Sequence, residues 1–312
     1  MKEGIVIKST GIWYNVKEIS GKVHPCRIRG KLRLKGIKST NPIAVGDRVS
    51  FLLEDDDKNG IIHDIHERKN FISRKSVNLS KESHVIAANL DLALLFITTK
   101  QPDTSLGFID RFLVTSEAYG IDTILIFNKI DIYSPSEIDE IDDLILMYQK
   151  IGYSSIKTSA TTLSNLKEVE KVTTNKIILL AGQSGAGKST LINAMNPNLN
   201  IRTGEISESH FKGKHTTTHA EMHEMANGGF IIDTPGIKGF GLLDLSKENL
   251  HHYFPEIFRK LPECKFHNCK HINEPKCAVK KAVDKGEIND CRYQNYLKMY
   301  NEEDGPYRSL GY

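Results

Sequence analysis

Gly182-Gln183-Ser184-Gly185-Ala186-Gly187-Lys188-Ser189 has the GxxxxGK[ST] spacing of a loop that wraps phosphate groups, and it stands between an apolar run, KIILLAG, and a helical pattern. Glycines let successive backbone N–H groups curl around a β-phosphate. Lys188 can reach the β- and γ-phosphates, Ser189 can ligate Mg²⁺, and the helix start, which includes Thr190, adds a partial positive charge. Asp233-Thr-Pro-Gly236 closes another apolar run, so Asp233 can hold Mg²⁺ while the Gly236 amide approaches a γ-phosphate. A third run ends in Asn128-Lys129-Ile-Asp131. A carboxylate at Asp131 can accept from the ring N–H and exocyclic amine of guanine, a pair adenine lacks, with the Lys129 stem packed along the base. Thr158-Ser159-Ala160 completes that pocket one βα unit later. Together the motifs indicate GTP and GDP as ligands and disfavour an ATP-dependent kinase or motor, which would share only the phosphate loop.

A second cluster has metal chemistry. Cys264, Cys269, His271 and Cys277 offer three thiolates and one imidazole within fourteen residues, a full tetrahedral set for one structural zinc with no open position. His267 falls in the same stretch and could replace His271 on spacing alone. Cys26 and Cys291 read as plain thiols.

These residues must be delivered by a frame, and the frame reads as multidomain α/β. Residues 1–75 alternate short strands (EGIVIKS, GIWYNVKE, PCRIRGKLRLK, IAVGDRVSFLLE, NGIIHDIHER) with Gly, Pro and Asn-Gly breaks, the pattern of an OB-like β-barrel. Parity in the third strand puts Cys26, Ile28, Leu32 and Leu34 on one face and Arg27, Arg29, Lys31, Arg33 and Lys35 on the other. That cationic row suits either a guarded sheet edge or contact with nucleic-acid phosphates. SRKSVNLSKESH, residues 73–84, reads as a linker. Residues 76–245 then alternate nearly continuous apolar strands (91–99, 122–128, 154–159, 176–182, 228–234) with helical segments near 107–119, 136–151, 163–171 and 188–195, predicting a mostly parallel sheet. Residues 246–312 read as a helical zinc-binding domain that ends in a helix.

The 312 residues leave ample chain for three such domains. No apolar run approaches a membrane span, and MKEGIVIKSTG lacks the features of a secretory leader, so a cytoplasmic protein with no membrane partner is expected. The net charge of +3 is unevenly spread: residues 1–75 carry 16 Lys/Arg against 9 Asp/Glu and residues 246–312 carry 12 against 10, leaving the centre acidic. Cationic ends imply an anionic macromolecular partner, or simply a solvated surface.

The order of the motifs is unusual. GTPases ordinarily run phosphate loop, switch Thr, DxxG, NKxD, SA, whereas here NKID and TSA precede GQSGAGKS, followed by GKHTTTH and DTPG: a circular permutation. This order, with a barrel before it and a Cys/His cluster after it, closely resembles the bacterial ribosome small subunit-dependent GTPase A (RsgA-type) family over essentially the whole chain. The resemblance implies a GTP hydrolase stimulated by the small (30S) ribosomal subunit, acting late in its assembly and binding 16S rRNA. It also implies that Cys264, Cys269, His271 and Cys277 are the zinc ligands.

Within Gly213-Lys-His215-Thr216-Thr217-Thr218-His219, one Thr should ligate Mg²⁺ and sense the γ-phosphate, with Thr217 favoured. Ile237 follows DTPG where Ras-like enzymes place a water-orienting Gln, so intrinsic hydrolysis should be slow until another group positions water. The resemblance points to His215 as that group, with His219 as the second choice. Because DTPG runs through IKGFGLLDLS into the zinc domain, nucleotide state is expected to reach that domain through this connector. A monomer is expected. The reading from another class is a nucleotide-tuned RNA-binding chaperone with negligible stimulated hydrolysis.

Overall fold

In a computed structural model, residues 1–28, 42–54, 58–75, 83–199, 221–233 and 246–302 are described. Five short strands build the amino-terminal barrel: β1 (Lys2–Ser9), β2 (Tyr14–Glu18), β3 (Val23–Ile28), β4 (Arg48–Leu53) and β5 (Gly60–Ile65). They hydrogen-bond in the order β1-β2-β3-β5-β4, and β4 returns to β1 to close the ring. The β3–β5 pairing is parallel while the other contacts are antiparallel, which is the Greek-key path of an OB barrel. Alternating residues Val6, Tyr14, Val16, Cys26, Val49, Phe51 and Ile62 fill the interior. The expected parity of β3 holds as far as it is described, with Cys26 buried and Arg27 exposed against Glu54. Arg29, Lys31, Leu32, Arg33, Leu34 and Lys35 lie outside the described residues.

The expected linker is corrected at both of its ends. Residues 73–75 belong to β6 (Phe71–Lys75) and residues 83–84 to β7 (Ser83–Ala88), which pair antiparallel as a separate two-stranded sheet. The local composition of Ser, Lys and Asn suggested a solvated connector, but β-pairing is a tertiary contact that short polar runs can adopt when apolar neighbours anchor them. Here Ile72, Ala87 and Ala88 supply the anchor. The buried Asn70 fixes the exit by donating to Leu90 O at 2.9 Å and accepting from Leu90 N at 2.8 Å.

The central sheet continues with β8 (Leu92–Ile97), β9 (Thr123–Phe127), β10 (Ser154–Lys157), β11 (Ile177–Gly182), β12 (Glu221–Glu224) and β13 (Phe230–Asp233) in the order β10-β9-β8-β11-β13-β12. Every neighbouring pair is parallel except β12–β13. Strand alternation divides the apolar residues between two faces: Ala93, Leu95 and Ile97 face one core and Leu92, Leu94 and Phe96 the other. The helices α1 (Leu106–Tyr119) and α2 (Pro135–Ile151) cover the first, while α3 (Leu166–Thr173) and α4 (Lys188–Met195) cover the second. Sharp caps set their starts and ends: Ser134 and Glu137 form a reciprocal capping box at α2, and Gly120 ends α1 in the left-handed conformation.

Beyond Ser246 the chain forms a 3₁₀ turn over Lys247–Tyr253 and three helices, α5 (Pro255–Lys260), α6 (Ala278–Asp284) and α7 (Asp290–Asn301), around their own apolar cluster. Arg292 of α7, only 1% exposed, joins this module to the central domain. It donates to Asp110 of α1 at 2.6 Å and to Glu256 of α5 at 2.8 Å, and its guanidinium stacks 4.8 Å from the Phe254 ring centre. Asn295 and Tyr148 also donate to the Asp110 carboxylate, at 2.6 and 2.8 Å.

Candidate functional site: one strand edge and a Cys3His cluster

All the strands that deliver candidate residues run in the same direction, so their carboxyl ends meet along one edge of the sheet. In open α/β folds that edge is where ligands bind. β9 ends at Phe127 and hands over Asn128, β10 ends at Lys157 before Thr158 and Ser159, β11 runs into Gly182, and β13 ends at Asp233.

The phosphate loop is shaped by contacts that leave no room for side chains. A Cβ on Gly187, whose φ is +90°, would stand 2.3 Å from Asn128 Nδ2, and one on Gly182 would stand 2.5 Å from Phe96 O. Lys188 lies across the loop and donates to Gly182 O at 2.8 Å and Gln183 O at 2.7 Å. Ala186 anchors the loop in the core, Ser184, Gly185 and Thr190 are exposed, and Ser189 is buried at the helix start. A γ-phosphate would offer Lys188 stronger, charge-assisted partners than two neutral carbonyls.

Asn128 is a strut. Its amide donates to Ala186 O at 2.9 Å while its carbonyl accepts from Thr158 Oγ1 at 3.0 Å, so one buried side chain ties the ends of β9 and β10 to the phosphate loop. Lys129, at φ +64°, reaches Gln101 O at 2.5 Å. Asp131 is exposed and its Oδ2 accepts from Thr161 Oγ1 at 2.8 Å; the Ser159 hydroxyl foremost, then that of Thr161, hold its carboxyl below the usual range. It is therefore ionised and ready to accept at neutral pH. Ala160 lies half-buried beside this pair. The structure thus brings Asn128, Lys129, Asp131, Ser159, Ala160 and residues 182–190 together.

Asp233 is placed by its backbone at the end of β13, opposite Glu221, and its side chain is not described. His215, Thr216, Thr217, Thr218, His219, Gly236 and Ile237 lie outside the described residues. Sequence reasoning missed the loop that follows β8. Thr98 N donates to Thr104 Oγ1, and Gln101 O receives Lys129, so this loop packs beside the NKID segment. Its only sequence signal is position: it closes a parallel strand at the ligand edge.

In the C-terminal module, the ligand atoms of Cys264, Cys269, His271 and Cys277 lie within 4.8 Å of one another. His271 Nδ1 is 3.6 Å from Cys264 Sγ and 3.4 Å from Cys277 Sγ. Backbone amides point at two of the sulfurs, Ala278 N at Cys264 Sγ and Lys280 N at Cys277 Sγ. Burial pushes the Cys269 thiol up to about 12 and the His271 imidazole down to about 4. The imidazole is thus neutral with a free lone pair, and a cation at the centre would supply what the thiolates need to remain ionised. Such a donor set and spacing fit tetrahedral zinc. His267 is exposed and stands apart from the cluster, which removes the ambiguity left by spacing. Tyr293 and Tyr296 of α7 donate to the backbone carbonyls of His271 and Lys270, both at 2.6 Å, and so hold the ligand turn.

Comparison with known proteins now separates this arrangement from other nucleotide-binding folds. The family model described as RsgA GTPase matches residues 65–243, and that described as the RsgA N-terminal domain matches residues 3–62. The chain belongs to the RsgA GTPase family. It is 53% identical to the small ribosomal subunit biogenesis GTPase RsgA of Flavobacterium psychrophilum over 98% of this chain and 94% of that one. The protein of the same name in Christiangramia forsetii is 51% identical, covering 98% of both chains. Among solved structures, YjeQ from Thermotoga maritima superposes with a TM-score of 0.79 at 37% identity, covering 96% of this chain and 97% of its own. As an RsgA-family protein the chain is a GTPase, and its motif order along the sheet is that of a circularly permuted domain.

Proposed function

We propose that this RsgA-family GTPase acts in small ribosomal subunit biogenesis, binding 16S rRNA and hydrolysing GTP faster when seated on the small subunit. The observation that carries the nucleotide half is the Asn128 strut, which locks the guanine-reading strand ends to the phosphate loop. In this reading Asp131 and Lys129 recognise the base, with Ser159 and Ala160 beside them. Residues 182–190 cradle the phosphates, Lys188 meets the β- and γ-phosphates, and the Gly236 amide meets the γ-phosphate. Ser189, Thr217 and Asp233 would hold Mg²⁺, which offsets charge on the phosphate oxygens when bound. His215 positions the attacking water in place of the Gln that Ile237 replaces.

Zinc on Cys264, Cys269, His271 and Cys277 staples the C-terminal module, and the barrel with its cationic row meets rRNA phosphates. The relatives' names carry the partner: each is called a small ribosomal subunit biogenesis GTPase. No helix among the described residues is long and apolar enough to cross a membrane. The reading takes the protein to be a cytoplasmic monomer with domains at 1–75, 76–245 and 246–312.

GTPase rate measured with and without purified small subunits tests the assignment. A large stimulation that disappears in His215→Ala, with GDP affinity intact, is expected. Unchanged turnover alongside persistent RNA binding would leave an RNA chaperone tuned by nucleotide. Asp131→Asn should shift preference from GTP toward xanthosine triphosphate, read by direct competition, because the amide can donate to the xanthine oxygen where the carboxylate accepted from the guanine amine.

A further inference from the structure

Two buried ring nitrogens on separate segments of the C-terminal module have no hydrogen-bond partner among the described residues: Nε2 of His271 and Nδ1 of His251. The rings are 5.5 Å apart between centroids and inclined at 75°. Neither meets solvent, with exposures of 0% for His271 and 3% for His251. A buried polar atom left unsatisfied costs about 1–3 kcal/mol, so two of them on facing rings call for a shared partner.

The metal chemistry says how they would. His271 Nδ1 faces the sulfurs, as described above, and giving its lone pair to zinc obliges the ring proton to sit on Nε2. That nitrogen is then a donor in need of an acceptor. Metal-bound histidines commonly give this second N–H to a carboxylate, a backbone carbonyl or water, which fixes the ring and raises its basicity. No carboxylate or carbonyl takes the His271 Nε2 proton among the described residues. A water held between the facing rings can, passing the bond on to the neutral imidazole nitrogen of His251.

We propose that His251 is the outer partner of the zinc site, receiving the Nε2–H of His271 at its own Nδ1 through one bridging water, and so fixing which His271 nitrogen faces the metal. This rests on the zinc reading of the Cys3His cluster. His251 is a positioning residue that touches neither nucleotide nor metal. Its place in the chain gives the contact weight. The amides that point at Cys264 and Cys277 come from residues 278 and 280, within the module, whereas His251 belongs to the 3₁₀ turn that follows the connector from Gly236. The same turn is pinned a second time where Lys270 Nζ donates to Glu248 O at 2.7 Å.

The test uses the full-length protein with His251→Asn and His251→Leu. Asparagine offers an oxygen close to where Nδ1 stood, while leucine fills the space and accepts nothing. Zinc content is measured first, then zinc affinity by competition with a chromogenic chelator, then the visible absorption of the Co²⁺-loaded forms. We expect about one zinc per wild-type chain, about 10–100-fold weaker zinc binding and a shifted Co²⁺ spectrum in His251→Leu, and near wild-type behaviour in His251→Asn. Equal losses in both variants would show that only the bulk of the ring matters, and no loss in either would show that His271 is oriented without it; both results overturn the inference. A wild-type chain that binds no zinc would instead overturn the zinc reading itself.

Discussion

The two joints of the central domain differ in how they exclude water. Toward the C-terminal module, Arg292, Asp110 and Glu256 form an ionic cluster with exposures of 1%, 1% and 9%, further satisfied by Asn295 and Tyr148. Toward the barrel, the sheet continues through one residue pair, Lys8 with Glu221, flanked by ion pairs Lys8–Glu221 and Lys17–Glu224 and by Lys17 over the Phe230 ring at 5.3 Å. An open cleft of about 540 Å³ beside them is lined by Glu3, Lys17, Glu18, Arg48, Glu224 and Phe230. A dry, geometrically demanding cluster ties the C-terminal module to α1 and α2, because removing any charged member strands a buried charge. The barrel joint has a buried side as well: Val45 sits in the central core, Ala88 N donates to Val45 O and Asn89 Nδ2 to Gly46 O, both at 2.9 Å, so the solvent-screened pairs guard one flank of a packed seam. One joint thus depends on every buried charge staying paired, whereas the other combines an apolar, backbone-bonded side with a screened one.

Asp110→Ala should break that contrast most severely. It leaves Arg292 with one carboxylate fewer in a water-free site and should destabilise the joint by about 3–5 kcal/mol, read as lost hydrogen-exchange protection across 255–301. Chelation should come next: stripping the metal should release the 264–277 turn and raise exchange in α5 to α7, with β8 to β11 still protected and nucleotide still bound. Intact protection throughout the module after metal removal would refute the staple. The smallest effect is expected at the screened flank of the barrel seam. Lys17→Ala should lower overall stability by only ~0–1 kcal/mol, read by denaturant unfolding, and that small loss should shrink further as salt is raised. Hydrogen exchange compared between a GTP analogue and GDP over residues 246–260 would sharpen the picture, since a rigid module should respond to nucleotide as a unit.

Much of this was legible in the residues, for reasons that differ by element. The central strands were readable because burial on both faces writes nearly unbroken apolar runs, as in LALLFI, and the phosphate loop because its glycines answer a steric demand that no other residue meets. The Cys3His cluster was readable because soft ligands seldom gather by accident, although spacing alone did not separate His271 from His267 as the family resemblance and the fold do. The β6–β7 pairing was not legible: its strands start and stop inside a Ser- and Lys-rich run, and what backs it is Val45, bridged to Ala87 from 42 positions away. Nor was the Arg292 cluster, since an arginine in an amphipathic helix looks the same whether it faces water or Asp110 from 182 positions away. The strut role of Asn128 was hidden inside a motif that could be read for its base contacts alone.

The permuted strand order has a consequence during synthesis. The NKID segment leaves the translating ribosome first, and the GQSGAGKS loop is completed only afterwards, with Ser189 following Asp131 by 58 residues, about 3–12 s at ordinary elongation rates. Throughout that interval the nascent chain carries half a pocket, so free nucleotide cannot template the early folding of β8 to β10 and those strands must reach their places on apolar contacts alone.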